Sequence, residues 1–300
     1  MKAKAMIAAV VTTVLWSGSY IVNRYAFAEG VGPFTLSGLR YTIAAILLGM
    51  CMPKGKGGAA LSFWQILMLA VVCYLLGQGF QYLGQSLLTP TLASMILNVG
   101  MIALIVCMNC WKLKEARGGK TYAFILLLAA GVVCFYQPWK GNAQQYSLLG
   151  IAAMLVAAVG SGLNITFNRY FLNVRRIGHK ELVVKPMLAG GLIMLLYGLV
   201  SEPVQRPSWR LCLCVAYLAG ISGALGFFLW TWSQKTLSSV QNGCVNHFML
   251  IEIALLDVLF FGRVITPWQW VGIVLTLSGI MGVLMMRQGN GQTPKARKTA

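Results

Sequence analysis

The chain has 300 residues, of which 58% are hydrophobic and only 10% charged, and its mean hydropathy is +0.73. A water-soluble domain carries about 25% charged residues, so this composition leaves too few to cover a surface facing water. The formal charge of +18 would suggest nucleic acid in a soluble protein. Here Lys and Arg sit almost wholly in short gaps between apolar runs, which is what membrane topology produces, and nucleic-acid binding is the poorer reading.

A membrane-spanning helix needs roughly 20 mostly apolar residues. On that rule the sequence predicts ten spans, at 6–27, 34–52, 62–86, 91–111, 121–138, 147–168, 182–200, 210–233, 239–261 and 268–286. Span 1 carries Trp16, Ser19, Tyr20 and Asn23 along one helical stripe and ends in Asn23-Arg24-Tyr25. It begins with basic residues as a signal peptide does, but the run is long, polar-striped and without a clear cleavage site, so it reads as a mature helix. Span 2 follows the break at Gly32-Pro33 and holds Arg40. Span 3 presents Gln78, Gln81 and Gln85 at i, i+3, i+7 with Tyr82 beside them, and span 4 presents Thr91, Ser94 and Asn98. Span 6 carries Ser161, Asn164 and Asn168, and span 7 holds Lys185. Span 8 contains Gly220-x-x-Gly223-x-x-Gly226, which reads as close helix packing or a flexible point, then Trp230 and Ser233. Span 9 carries Asn242, Asn246, Glu252 and Asp257. The residues after 287 form a polar, basic tail that reads as disordered.

The plan of the first half returns in the second. Asn23-Arg24-Tyr25 recurs as Asn168-Arg169-Tyr170, with Ser161 at the place of Trp16, Asn164 at that of Ser19 and Lys185 at that of Arg40. Further along, Asn98 falls on Asn246, Ser94 on Asn242, Gln85 on Ser233 and Gly131 on Gly279. Each half then holds five spans, and an odd number makes the second half enter the membrane from the opposite side. The expected fold is an all-α membrane protein with ten transmembrane helices in two inverted five-helix repeats, residues 1–141 and 142–287, followed by a cytoplasmic tail, 288–300. With the N-terminus inside, 18 of the 24 Lys and Arg lie on the cytoplasmic side and 6 on the other, which places both termini in the cytoplasm of an inner or plasma membrane.

An uncharged polar residue in a membrane helix seeks a protein partner or a water-filled cavity, because lipid offers none. For one residue, helix–helix adhesion and a cavity are equal readings; for stripes repeated in both halves, a shared cavity is the better one. The binding candidates are Trp16, Ser19, Tyr20, Asn23, Gln78, Gln81, Tyr82, Asn98, Asn164, Asn168, Trp230, Asn242 and Asn246. Glu252 and Asp257 are the candidates for proton coupling, since a charge at the membrane centre is costly and calls for a function. On a helical wheel they lie on different faces of span 9, so they do not both enter one narrow cavity. The competing account of Glu252 is a hydrogen-bonded packing residue. Arg40 and Lys185 are candidates for an electropositive vestibule attracting carboxylates, with snorkelling to headgroups as the alternative.

Catalysis and cofactors find little support. His179 lies just before span 7 and His247 in span 9, the loops are too short for a soluble site, and no phosphate-binding G-x-x-x-x-G-K-[ST] run is present. Cys107-x-x-Cys110 has metal-like spacing, but nothing nearby completes a ligand set. No metal, cofactor or catalytic residue is expected. The expected partners are a small-molecule solute, the bilayer and, at Glu252 or Asp257, protons.

Weak motifs in a fixed order then add a resemblance. Trp16-Ser17-Gly18-Ser19, Gly32-Pro33, Leu39-Arg40, Ala93-Ser94 with Asn98, Lys114-Glu115 and Gly131 mark the first half. Leu225-Gly226-Phe227 with Trp230, Ser238-Ser239, Gly262, Gly272 and Gly279 mark the second. Over residues 6–286 the chain resembles the drug/metabolite transporter superfamily, in its EamA-type branch. The resemblance implies a ten-helix inner-membrane carrier that exports amino acids, other metabolites or small toxic compounds through a central cavity. The sequence departs from the family pattern in lacking prolines after Asn98 and near Met249, and in having Arg263 where a glutamate is usual. The expected function is therefore a secondary transporter, an exporter of a small polar metabolite such as an amino acid, working by alternating access. The alternatives are an exporter of hydrophobic or cationic toxic compounds and a membrane subunit that transports nothing.

Overall fold

Long apolar runs punctuated by Gly, Pro and Ser dictate helices with sharp ends, and the computed structural model has that form. It describes residues 2–52, 59–100, 119–137, 147–173, 175–203, 208–234, 239–262 and 264–289. Cys107, Cys110, Arg263 and the tail beyond 289 lie outside the described residues. The helices are α1 (Lys2–Ala28), α2 (Pro33–Cys51), α3 (Phe63–Leu87), α4 (90–100), α5 (Gly119–Tyr136), α6 (Leu148–Asn173), α7 (His179–Ser201), α8 (Trp209 to Gln234), α9 (Ser239–Phe261) and α10 (Pro267–Gly289). Among the described residues the one strand-like feature is a single parallel bridge between Ala59 and Ile177.

The ends are set by local chemistry. Helix α1 stops at Gly30, whose φ of 86° an L side chain rarely adopts, and its N–H bonds to the Phe27 carbonyl at 2.9 Å. Pro33 opens α2 at a position where a missing N–H costs nothing. Ser62 and Gln65 form a reciprocal capping box at the start of α3, as do Thr266 and Gln269 at the start of α10. Ser208 accepts from the Leu211 N–H to start α8.

Among the described residues, two helices depart from α geometry. Ala70–Gly79 within α3 and Tyr217–Leu225 within α8 are π-helical, and the two stretches fall on each other under the repeat offset. Such wide turns concentrate at functional sites.

The bundle is arranged about the relation between the halves. Helix α2 packs along α7 and α5 along α10, each against its own counterpart; α1 packs on α8 as α6 packs on α3. Small residues permit these approaches. Gly38 lies on the Leu195 backbone and Gly191 and Gly198 against Thr42 and Thr35, so α2 and α7 nearly touch main chain to main chain. Gly131 and Gly272 do the same for α5 and α10. One buried cluster joins α2, α3, α7 and α8 around Tyr41, Tyr82, Met187, Met194 and Leu218. A second joins α4, α5, α6, α9 and α10 around Leu92, Met95, Phe135, Met154 and Leu250.

Outward faces carry the large apolar side chains. Ile7, Val10 and Val14 of α1, Leu196 and Val200 of α7, and Leu259 of α9 are exposed, while Ala5, Ala9, Thr12 and Ser17 are buried. A water-soluble protein would reverse that distribution; lipid suits it. Among the described residues, five helices are long and apolar enough to cross a membrane by length and composition. The chain is a multi-pass membrane protein.

Candidate functional site

Four helices, three from the first half and one from the second, bring polar side chains together inside the bundle. Helix α2 places Arg40 about 10 Å along its axis from its N-terminal end, at a rise of 1.5 Å per residue. Arg40 is 6% exposed. Its Nη1 donates to the Tyr82 hydroxyl of α3 at 2.6 Å and its Nη2 to the Ser222 hydroxyl of α8 at 2.9 Å. The guanidinium also stacks over the rings of Tyr41 and Tyr82, at 5.3 and 5.9 Å from their centroids. Among the described residues its Nε has no hydrogen-bond partner. Among the described residues, no carboxylate pairs with it: the ion pairs are Lys185 with Glu181 and Arg210 with Glu29.

The glutamine stripe of α3 continues the network. Tyr41 donates to the side chain of Gln78. Gln81 donates to the Tyr20 hydroxyl at 3.1 Å, and Asn23 donates to Gln85 at 2.6 Å. Asn23 is 1% exposed and its Oδ1 has no hydrogen-bond partner. Trp16 closes the far side: its indole N–H donates to the Ser222 carbonyl at 3.0 Å, and its ring lies 5.4 Å from Phe227 and 5.3 Å from Trp230. Gly226 packs against that indole, where a Cβ would crowd it.

The structure thus joins Trp16, Tyr20, Asn23, Gln78, Gln81, Tyr82, Trp230 and Arg40 from the predicted set. It adds Tyr41, Gln85 and Ser222, which the sequence reading did not put forward as binding residues. Tyr41 and Gln85 had signals, as neighbours of Arg40 and of the glutamine stripe; Ser222, inside a glycine-rich run, had none.

Other candidates stand elsewhere. Ser19 is buried and returns its hydroxyl to the Trp16 carbonyl at 2.5 Å. Asn168 donates to Asn164 one turn away at 2.8 Å, both half-buried on α6. Asn98 is half-buried and donates to the Ser94 carbonyl at 2.7 Å, and Asn246 is half-buried on α9. The side chains of Asn242 and His247 lie outside the described residues. Lys185 is exposed and paired with Glu181 on its own helix, whereas its repeat mate Arg40 is enclosed.

The two acids of α9 serve different neighbours. Glu252 accepts from Ser17 at 2.7 Å and from Thr13 at 3.1 Å, both on α1. Asp257 is 2% exposed and accepts from Thr91 of α4 at 2.9 Å. Among the described residues no group of three or more His, Cys, Asp or Glu is placed to hold a metal ion.

The EamA-like transporter family model matches residues 3–137 and again 148–285. One solved crystal structure superposes with a TM-score of 0.68 at 18% sequence identity, covering 95% of this chain and 99% of the other; that likeness is one of fold. No curated protein matches the sequence.

Proposed function

The chain belongs to the EamA-like transporter family, and from that premise we propose that it is a secondary transporter, exporting a small polar metabolite such as an amino acid by alternating access. The observation that carries this reading is the enclosed network of Arg40, Tyr82, Gln78, Gln81, Gln85, Asn23 and Ser222, drawn from both halves within an otherwise apolar bundle. Amide, phenol and hydroxyl groups placed there would find no partner in lipid. They serve either each other or a solute. Inverted repeats that pack counterpart on counterpart suit a rocking exchange of access about a central site. Glu252, held between α1 and α9, is the residue we assign to proton coupling. The Lys and Arg distribution supports a plasma or inner membrane with both termini in the cytoplasm.

The test is counterflow of amino acids and related metabolites by the purified protein in proteoliposomes, with and without a pH gradient. Movement of one or more solutes, lost in Gln81→Leu while the protein still assembles, supports the reading. Folded protein that moves nothing across a broad panel removes it. The aromatic group of Trp16, Phe227 and Trp230 favours a second reading, export of apolar or cationic compounds. Uptake of lipophilic cations in the same vesicles separates the two.

A further inference from the structure

We infer that Arg40 is the anchor for a carboxylate of the transported solute, and that the site takes a solute bearing one carboxylate beside a hydrogen-bond donor such as an ammonium group. This rests on the carrier reading above and names its solute class. A guanidinium has five N–H donors and a permanent charge. Arg40 uses two nitrogens on neutral hydroxyls and leaves Nε with no partner. An enclosed cation with no anion beside it among the described residues is an incomplete pair, since a buried charge ordinarily has a counter-ion. The two hydroxyls that hold it, Tyr82 and Ser222, come from opposite halves, so an anion bound there would touch both repeats.

The size of the charge narrows the ligand. The network contains one cation; a single carboxylate neutralises it, whereas a phosphate dianion would leave a net buried charge. The second unmet group, Asn23 Oδ1, is an acceptor. It is tied through Asn23 Nδ2 to Gln85, three residues from Tyr82 on α3, a spacing that sets side chains side by side at roughly 5–6 Å between Cβ atoms. An unmet donor and an unmet acceptor, on residues held by side chains one turn apart on α3, are complementary in type to the carboxylate and the ammonium of an α-amino acid. The same fixed positive charge disfavours organic cations.

The test uses the full-length protein in phosphatidylcholine vesicles, which carry no anionic headgroup. Each amino acid is compared with its decarboxylated amine and its amide in counterflow. The expected result is movement of acids with amines and amides slower by about tenfold to a hundredfold, the worth of one charge-assisted contact. Arg40→Gln is expected to abolish that preference and Arg40→Lys to retain part of it, because lysine keeps the charge without the fork. The wild-type comparison stands even if both variants fail to fold. Wild-type protein that moves amines or phosphorylated analogues and ignores carboxylates overturns the anchor while leaving the carrier intact. Equal discrimination by wild type and a folded Arg40→Gln protein also overturns it. Folded protein that moves no solute overturns the carrier reading and the anchor together.

Discussion

Helix α2 offers a stability prediction that can be worked from its two ends. Its N-terminus begins at Gly32-Pro33, where Gly32 has no side chain to cap with and Pro33 has no N–H. The next two donors, the N–H groups of Phe34 and Thr35, each bond at 2.8 Å to one carboxylate oxygen of Glu202, just beyond the end of α7. A hydrogen bond to a charged group contributes about 1.5–3 kcal/mol net, and a negative charge at a helix N-terminus adds about 0.3–1 kcal/mol. Glu202 is partly exposed, so water takes over some of this when it is removed, and the low end applies. Glu202→Ala is therefore expected to cost about 2–3 kcal/mol and Glu202→Gln about half, measured as unfolding free energy in mixed micelles. Gly32→Ala reaches the same contact from the other side, because a Cβ there would overlap the Glu202 carboxylate. The double variant should cost less than the sum of the singles, as residues in contact do. A Glu202→Ala protein within about 0.5 kcal/mol of wild type, the usual range for a surface change, would refute the reasoning, as would strict additivity with Gly32→Ala.

Further outcomes follow from other contacts. Lys180 closes the opposite end of α2, donating to the carbonyls of Gly49 at 2.6 Å and Met52 at 2.5 Å; Lys180→Met should cost about 1–2 kcal/mol and add to Glu202→Ala, since the ends lie roughly 28 Å apart. Gly131→Val forces a side chain into Thr276 and the Gly272 backbone and should destabilise α5–α10 by about 1–3 kcal/mol, whereas Val133→Leu on the exposed face should be neutral in the same unfolding assay. Glu252→Gln keeps a partner for Ser17 and Thr13 but cannot exchange a proton. It should leave counterflow running and remove any stimulation by a pH gradient, and stimulation that persists would reduce Glu252 to a tie between α1 and α9.

The helices were legible because each is a long apolar run with a chemical stop. The spans expected at 34–52, 239–261 and 268–286 are observed as Pro33–Cys51, Ser239–Phe261 and Pro267–Gly289. Helix α6 runs on to Asn173, past the predicted 168, because Phe167 and Phe171 keep its apolar face packed. Separation of the two acids on the wheel of α9 is seen in their different partners, α1 for Glu252 and α4 for Asp257. The surroundings of Arg40 were not legible. Position in a helix gives depth but not neighbours, and the groups that enclose it, Tyr82 and Ser222, lie 42 and 182 residues away in the chain. The glycine run from Gly220 to Gly226 marked a flexible point where the second π-helical stretch, Tyr217–Leu225, lies, whereas nothing in Ala70–Gly79 marked the first.

Those two stretches separate inheritance from specialisation. The backbone irregularity is shared by the halves, yet the side chains that follow it are not: α3 presents Gln78, Gln81 and Gln85, where α8 has Gly226, Leu229 and Ser233. The two halves therefore share a backbone irregularity but not a polar stripe. The widened turns also change which carbonyls look outward, and Ser222, inside the second of them, spends its carbonyl on Trp16 instead of only on its own helix. On the proposed site, substitutions confined to the α3 stripe are expected to change which solute moves while the matching π-helical turn of α8 keeps its form.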